Sequence, residues 1–111
     1  MNKHEVIKET MYQADGIKID RIKEFDHDTK KLIKTTYYQP DGIKFDMIRE
    51  YDRDTGKKIK FTQYQDDSFK IDYIYECDRD TGKIIKTTYY QADGTTKIHK
   101  YDPQISVLIN Q

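Results

Sequence analysis

An acidic motif at residues 52–56, Asp-Arg-Asp-Thr-Gly, is the first candidate for chemistry in this sequence. Closely spaced carboxylates can bind Ca²⁺, and an EF-hand loop places an acid or Asn at its fifth position and Glu at its twelfth. Those positions hold Gly56 and Gln63 here. Aspartate also favours tight turns, because its side chain hydrogen-bonds the backbone two residues on. The motif therefore predicts a turn and no metal site.

Three histidines and one cysteine are the other side chains that could act as metal ligands or nucleophiles. His4, His27 and His99 lie at unrelated positions, which does not favour a shared metal ion. Cys77 is the single cysteine, which excludes an internal disulfide, and no histidine is placed to act as its base. The sequence thus predicts no catalytic residue and no cofactor, and we expect that the protein is not an enzyme.

Lysines and tyrosines recur at fixed intervals, and we call each such set of equivalent positions a column. The lysine columns would suit a phosphate backbone, whereas the tyrosine column would suit stacking on a ligand or bracing of neighbouring turns. The columns are Lys8/Lys34/Lys60/Lys86, Lys18/Lys44/Lys70 and Tyr12/Tyr38/Tyr64/Tyr90. The 20 basic and 20 acidic residues balance to zero, which provides no attraction to nucleic acid or anionic lipid. We therefore expect no nucleic acid partner, and no membrane span, since no apolar run approaches about 18 residues.

The columns arise from a repeat of 26 residues, which is the interval between Gln13, Gln39, Gln65 and Gln91. In the second copy, Gln-Pro-Asp-Gly at 39–42 predicts a type I turn closed by a glycine in the left-handed conformation. The Asp-x-Asp-Thr-Gly motif between successive copies predicts a second hairpin turn. The sequence therefore predicts a single repeat domain, 1–111. Its units are about 4–29, 30–55, 56–81 and 82–111.

The segments between the turns favour β-strands, because ten tyrosines and frequent isoleucines suit a pleated, half-buried surface. No segment has a helical period. The predicted fold is all-β, a single antiparallel meander sheet of about nine strands built from tandem 26-residue β-hairpin repeats. The predicted strands are roughly 5–12, 17–25, 31–38, 43–51, 57–64, 69–77, 83–90, 95–101 and 105–109.

Turn geometry predicts how these strands pair. Opposite charges then meet in one cross-strand slot of three repeats, which supports the register. The slot pairs are Glu24–Lys34, Glu50–Lys60 and Glu76–Lys86. The same rule predicts the pairs Arg49–Phe61, Tyr51–Ile59, Tyr37–Phe45 and Tyr38–Lys44.

Ile22, Ile48 and Ile74 do not fit a strict alternation of apolar and charged faces, because it would place them among charged residues. Either a β-bulge near the aspartate two residues earlier turns them to the other face, or both faces carry apolar stripes. We predict the bulge. The aspartates concerned are Asp20, Asp46 and Asp72.

The repeated motif is Asp-Gly-Ile-Lys-x-Asp-x-Ile-x-Glu-Tyr-Asp-x-Asp-Thr-Gly-Lys-x-Ile-Lys-Thr-Thr-Tyr-Tyr. It resembles a repeat family of unknown function described from phytoplasmas, and more loosely the hairpin repeats of the MORN and tyrosine–aspartate types. The resemblance covers about residues 4–102 and departs at Lys30, at Ser68 and in the shorter fourth unit. It implies no catalytic residues, and it implies a secreted or surface protein that meets host proteins, including inside a host cell. No signal peptide is recognisable at Met1.

Four columns differ between the repeats, and these differences predict a binding site. The columns are Arg21/Met47/Tyr73, Lys23/Arg49/Tyr75, Tyr37/Gln63/Tyr89 and Thr35/Phe61/Thr87. Positions that serve the fold should be the same in every unit, whereas varied positions are free to contact a partner. Protein interfaces are enriched in Tyr, Phe, Met and Arg, which occur in these columns. The predicted protein-binding residues are Met47, Arg49, Phe61, Gln63, Tyr73 and Tyr75.

The same patch has other interpretations, namely a core under a curved sheet or a dimer contact. The predicted function is a non-catalytic protein-binding repeat module, a secreted bacterial effector that engages a host protein. The alternative is a structural, self-assembling repeat protein that forms a homo-oligomer through its sheet face or edges.

Overall fold

The computed structural model describes the backbone of residues 5–101 and the side chains of residues 5–95, and this part of the chain contains strands and turns without a helix. The eight strands are β1 (Val6–Tyr12), β2 (Ile19–Asp26), β3 (Leu32–Tyr38), β4 (Phe45–Tyr51), β5 (Lys58–Tyr64), β6 (Ile71–Cys77), β7 (Ile84–Tyr90) and β8 (Thr96–Tyr101). They form one open antiparallel sheet in chain order, which confirms the predicted meander. The ninth predicted strand, 105–109, lies outside the described residues.

The Gln-x-Asp-Gly motifs lie at hairpin tips, as predicted. In the second repeat the Gly42 N–H donates to the Gln39 carbonyl at 2.8 Å, with φ of 70° at the glycine. Asp41 Oδ1 accepts hydrogen bonds from the backbone N–H groups of Ile43 and Lys44 at 2.8 and 2.9 Å. In the third repeat Ser68 replaces the glycine, and the positive φ, 52°, lies at Asp67 instead. Aspartate tolerates this conformation because its short polar side chain can hydrogen-bond locally.

The Asp-x-Asp-Thr-Gly motifs form the tips at the other end of the hairpins. The Gly56 N–H donates to the Asp52 carbonyl at 2.9 Å, and the Asp52 N–H donates to the Lys57 carbonyl at 2.7 Å. Asp52 Oδ1 accepts bonds from the N–H groups of Asp54 and Thr55 at 2.9 and 2.8 Å. The first aspartate of the motif therefore closes the turn, as turn chemistry predicts.

A β-bulge at an aspartate interrupts the pairing in each of three repeats. On β4, Met47 pairs with Tyr37 and Phe45 pairs with Tyr38, so Asp46 between them has no partner. The same interruption occurs at Asp20 and Asp72. The position of the predicted bulge is therefore confirmed, and it leaves Phe45 and Met47 on opposite faces of the sheet. The expected effect on the isoleucines is wrong, because Ile48 stays on the face of Glu50 and it is Phe45 that joins them there.

Three predicted pairs are wrong by one or two residues. The structure pairs Tyr37 with Met47, Tyr38 with Phe45 and Tyr51 with Lys58, in place of Phe45, Lys44 and Ile59. One reason is the closure of the turn. The prediction places Gln39 opposite Ile43, whereas the Gln39 N–H donates to the carbonyl of Lys44, one residue later. The other is that bulges at Asp46 and Ile59 each absorb a residue. Pairs that lie between the bulges match the prediction, namely Arg49–Phe61 and Glu50–Lys60.

One face of the sheet carries two rows whose residue types recur in every repeat, and we call it the regular face. One of its rows alternates Lys with Glu across the strands, and a second row alternates Thr with Ile. The rows are Lys8–Glu24–Lys34–Glu50–Lys60–Glu76–Lys86 and Thr10–Ile22–Thr36–Ile48–Thr62–Ile74–Thr88. The predicted charge slot is confirmed. Opposite-charge and apolar neighbours across strands each favour this register modestly, and the repetition across many strands sums their effect.

The sheet has little conventional core. Within residues 5–95 the buried apolar side chain is Cys77, 7% exposed, and burial raises the pKa of its thiol. This confirms that it packs as a small hydrophobe. The other buried residues are polar, namely Asp26, Thr35, Thr36, Asp52, Thr62, Thr87 and Thr88. Stability must therefore come largely from the strand ladder and cross-strand pairs.

Side chains at the hairpin tips connect one repeat to the next. Gln39 Nε2 donates to the carbonyls of Phe45 at 2.8 Å and Gln65 at 3.2 Å, and the second bond recurs one repeat later at 2.9 Å. Beside it, the rings of Tyr38 and Tyr64 both meet the Phe45 ring edge-on, at 5.4 and 5.5 Å. The tyrosine column thus braces neighbouring turns, one of its two predicted roles.

Candidate protein-binding face

The four varied columns selected from the sequence as binding candidates all lie on the face opposite the regular face, and we call this the variable face. Cross-strand pairing arranges them in two adjacent rows. The rows are Arg21–Tyr37–Met47–Gln63–Tyr73–Tyr89 and Lys23–Thr35–Arg49–Phe61–Tyr75–Thr87. The described residues form a single sheet, so no second layer of this part of the chain covers the variable face.

The six predicted binding residues come together at the middle of these rows. Phe61 lies between Arg49 and Tyr75, and Gln63 lies between Met47 and Tyr73. The cluster survives the bulge because Asp46 precedes both Met47 and Arg49 on β4, so these two keep the same phase. One detail differs from the simple expectation: Tyr75 is directly opposite Phe61, and Tyr73 is its diagonal neighbour.

Aromatic rings form the centre of the variable face. The Phe61 ring stacks on Tyr75 at 5.8 Å and on Tyr73 at 6.1 Å between centroids, and the two tyrosine rings lie 5.0 Å apart. Tyr89 extends the cluster, 6.2 Å from Tyr73. Sequence reasoning had the signal for Tyr89, since it belongs to a varied column, but the predicted set omitted it. We call these four residues the aromatic cluster.

Two arginines continue the aromatic cluster toward β2. The Arg49 guanidinium lies 5.9 Å from the Phe61 ring centroid and 5.6 Å from that of Tyr37. On the other side of Tyr37, Arg21 lies 5.3 Å from the same ring. Cations over aromatic faces are held by the ring quadrupole. Arg21 and Tyr37 were not among the predicted residues, although both belong to varied columns.

Gln63 has a structural task besides its place on the face. Its Nε2 donates to the backbone carbonyl of Asp46 at 2.9 Å and to the Asp46 carboxylate at 3.0 Å. These bonds hold the unpaired residue of the bulge in place. Of the six predicted residues, Gln63 is therefore the one whose side chain hydrogen-bonds the backbone.

The side chains of the variable face are of types that make contacts with a binding partner. The pKa of Tyr73 is raised, first by burial and then by the neighbouring Tyr75, so its hydroxyl stays protonated at neutral pH. Across the described part of the chain no three His, Cys, Asp or Glu side chains are grouped to hold a metal ion. The Asp52 carboxylate of the acidic motif is occupied by backbone N–H groups and by Arg79. No helix in the described residues has the length and apolar character to span a membrane.

Similar folds occur inside larger proteins. A crystal structure of accessory secretory proteins 1, 2 and 3 from Streptococcus pneumoniae matches with a TM-score of 0.57 at 13% identity, over 87% of this chain and 17% of that one. A TarM structure matches at 0.56 and 15%, over 86% and 16%. A mutant of S. aureus TarM in complex with fondaparinux, α-GlcNAc-glycerol and UDP matches at 0.56 and 14%, over 89% and 18%. The identities are so low that the likeness is one of fold, and the chain spans less than a fifth of each.

The sequence comparisons identify a family. No curated protein matches the chain in sequence. A family model described as a protein of unknown function, DUF2963, matches residues 2–37, 38–89 and 64–111, which together span nearly the whole sequence. The chain therefore belongs to the DUF2963 family of proteins of unknown function.

Proposed function

We propose that this protein is a non-catalytic module that binds another protein through its variable face. The observation that carries the proposal is the segregation of the repeat columns. The repeated Lys–Glu and Thr–Ile rows occupy the regular face, and all four varied columns occupy the other. The column Ile19/Phe45/Ile71 on the regular face also differs, but all its members are apolar, whereas the four columns of the variable face change between charged, polar, apolar and aromatic residues.

The residue types on the variable face also suit a protein partner. Aromatic and arginine side chains contribute a large share of the contact energy at protein interfaces. The rings of Phe61, Tyr73 and Tyr75 already hold one another at 5.0 to 6.1 Å. Binding would therefore immobilise few additional rotamers, which lowers the entropic cost of association.

We extend the proposal to a secreted protein whose partner belongs to a host. The support is the resemblance of the repeated motif to repeats described from phytoplasmas, which live in plant tissue. The described strands provide a compact scaffold of 26-residue units for such a surface.

Self-assembly is the second candidate function, and one observation favours it. Strand β1 is at an edge of the described sheet, and Val6 and Ile7 on it are 37% and 39% exposed. An exposed edge strand can pair with a strand of another copy through its free backbone groups. Light scattering over a concentration series distinguishes this candidate, because a self-assembling protein would grow in mass with concentration.

Site-specific photo-crosslinking tests the protein-binding proposal. A photoreactive phenylalanine analogue is placed at Tyr75 on the variable face, and in a matched variant at Lys60 on the regular face. We expect the first variant to form a discrete crosslinked product with a protein from host extract, and the second to form none with that protein. Equal crosslinking from both faces, or products containing only copies of this chain, would overturn the proposal.

A further inference from the structure

Arg49 is a half-buried cation on the variable face without a protein anion beside it. Its guanidinium lies between the rings of Tyr37 and Phe61, at 5.6 and 5.9 Å. No carboxylate of the described residues is within ion-pair distance of it, whereas Arg21 on the same face contacts Asp20 at 3.0 Å. The guanidinium is thus held in position by stacking while its N–H donors are left for another group.

This arrangement is suited to a carboxylate. A guanidinium is planar and offers paired donors that match the two oxygens of a carboxylate, and it keeps its charge at all physiological pH values. Contact with the two rings holds the guanidinium in place before binding, which reduces the entropy lost when the bonds form. A lysine at this position would supply the charge without the plane.

The charges around Arg49 favour an acidic partner. The two rows of the variable face contain three cations, Arg21, Lys23 and Arg49, and strand β1 adds one carboxylate, Glu9, opposite Lys23. Arg21 contacts Asp20, so among the described residues Arg49 is the cation of these rows that has no carboxylate opposite or beside it. On the regular face every lysine of the Lys–Glu row lies opposite at least one glutamate. Charge complementarity across an interface guides association and selects partners.

The same surroundings disfavour a nucleic acid. The bulge residues Asp20, Asp46 and Asp72 each precede a residue of the first row on the same strand, and so form a series of carboxylates along that row in three repeats. A phosphate backbone laid across the strands would pass this series of carboxylates, and nucleic acid binding depends on neutralising many phosphates. A short acidic protein segment needs a single anchor.

We propose that Arg49 binds a carboxylate in an acidic segment of the partner protein, and that the aromatic cluster receives an apolar side chain of the same segment. This inference rests on the proposed protein-binding function and specifies the chemistry of the partner. Strands β4 and β6 are two positions apart, about 10 Å at the usual strand spacing. An extended segment covers that span in about three residues. The segment therefore carries an acid and an apolar or aromatic residue two or four positions apart, since these spacings place both side chains on the same side of an extended segment.

A random copolymer of glutamate and tyrosine is the probe, with binding followed by fluorescence anisotropy. Arg49→Gln and Arg49→Lys test the anchor, and Lys60→Gln removes one positive charge from the regular face as the matched control. We expect affinity to fall about tenfold for Arg49→Gln and several-fold for Arg49→Lys, as for loss of a charge-assisted contact, and to change by less than about twofold for Lys60→Gln. Circular dichroism establishes that each variant is folded.

Competing polyanions complete the test. Polyglutamate without tyrosine, heparin and an oligothymidylate should each bind more weakly than the copolymer, because they lack the apolar side chain or the carboxylate. Equal loss of affinity in Arg49→Gln and Lys60→Gln would overturn the inference, as would Arg49-dependent binding that is tightest for heparin or the oligonucleotide. Wild-type affinity in both Arg49 variants, together with crosslinking of a partner through Tyr75, would remove the acid anchor and leave the protein-binding function standing.

Discussion

Arg79 reaches back across one repeat to Asp52, and its Nη1 donates a 2.8 Å hydrogen bond to Asp52 Oδ2. The other oxygen of this buried carboxylate accepts the two turn N–H groups. The same contact joins Arg53 to Asp26 one repeat earlier. The tips led by Asp26 and Asp52 are thereby each held by their own backbone and by the following tip, which makes the stacking of these repeats depend on an ionised aspartate.

Asp52→Asn should therefore destabilise the protein at neutral pH and have less effect in acid. Backbone hydrogen bonds from Thr55 and Asp54, and then the Arg79 guanidinium, lower the pKa of Asp52 to about 2. A carboxyl whose folded pKa is depressed stabilises the fold above its unfolded pKa, and this contribution is lost as the pH falls through the folded pKa. The urea midpoints of wild type and variant should differ at pH 7 and converge between pH about 4 and about 2.

Asp54→Asn is the control for this effect, since it removes an exposed carboxylate from the same turn. Its urea midpoint should stay close to that of wild type across the same pH range. A constant difference in urea midpoint between wild type and Asp52→Asn at every pH would mean that the asparagine destabilises the fold for a reason other than its missing charge.

Gly42→Ala should be more harmful than Gly16→Ala, although the two glycines have φ of 70° and 71°. The left-handed conformation costs a non-glycine residue about 1–2 kcal/mol at both sites. At Gly42 an added Cβ would also lie 2.8 Å from the Lys18 Cβ and 3.0 Å from the Ile19 N, whereas at Gly16 nothing lies within 4 Å. Chemical denaturation of the two variants isolates the packing of one repeat on the next. Equal losses would show that backbone conformation alone sets the cost.

Chelator should leave the melting temperature unchanged, and so should added CaCl₂. The Asp52 carboxylate, which would have to lead a calcium loop, is already bonded to backbone N–H groups and to Arg79. A ligand that binds only the native state raises its stability by mass action. A shift of several degrees in differential scanning fluorimetry with either reagent would restore the acidic turns as a metal site.

The fold could be predicted because the residues that form each turn are close together in the sequence of each repeat. Gln-x-Asp-Gly and Asp-x-Asp-Thr-Gly each contain a residue that accepts positive φ beside a carboxylate that bonds the turn. The exact register near the tips could not be predicted. A bulge at Ile59 has no distinctive residue type, and the alternative turn closures differ by one residue in length.

The candidate site was predictable for a related reason. Its central pairs, such as Arg49 with Phe61, lie between two bulges, so the errors at the tips do not reach them. The cation–ring contacts of Tyr37 join it to Arg21, directly opposite on β2, and to Arg49, its diagonal neighbour on β4. They were missed because they depend on side-chain direction. Spacing alone carries no information about that direction.

The aromatic cluster can be tested with a control from the other face. Phe61→Ala with Tyr73→Ala removes one Phe and one Tyr whose rings are 6.1 Å apart on the variable face. Phe45→Ala with Tyr64→Ala removes the same two residue types, 5.5 Å apart, from the regular face. All four side chains are half-buried, so the two double variants should lose similar stability, about 1–3 kcal/mol each from the lost ring and cross-strand contacts.

Binding should separate the two double variants. Partner affinity, measured by titration calorimetry with the protein found by crosslinking, should fall by about tenfold or more for Phe61→Ala with Tyr73→Ala, since interface aromatics dominate contact energy. Phe45→Ala with Tyr64→Ala should keep nearly the wild-type affinity while it remains folded. If the rings of the variable face served instead as a core, their removal would cost several kcal/mol and that variant alone would unfold. A folded Phe61→Ala with Tyr73→Ala variant that binds as tightly as the wild type would exclude the aromatic cluster as the contact surface.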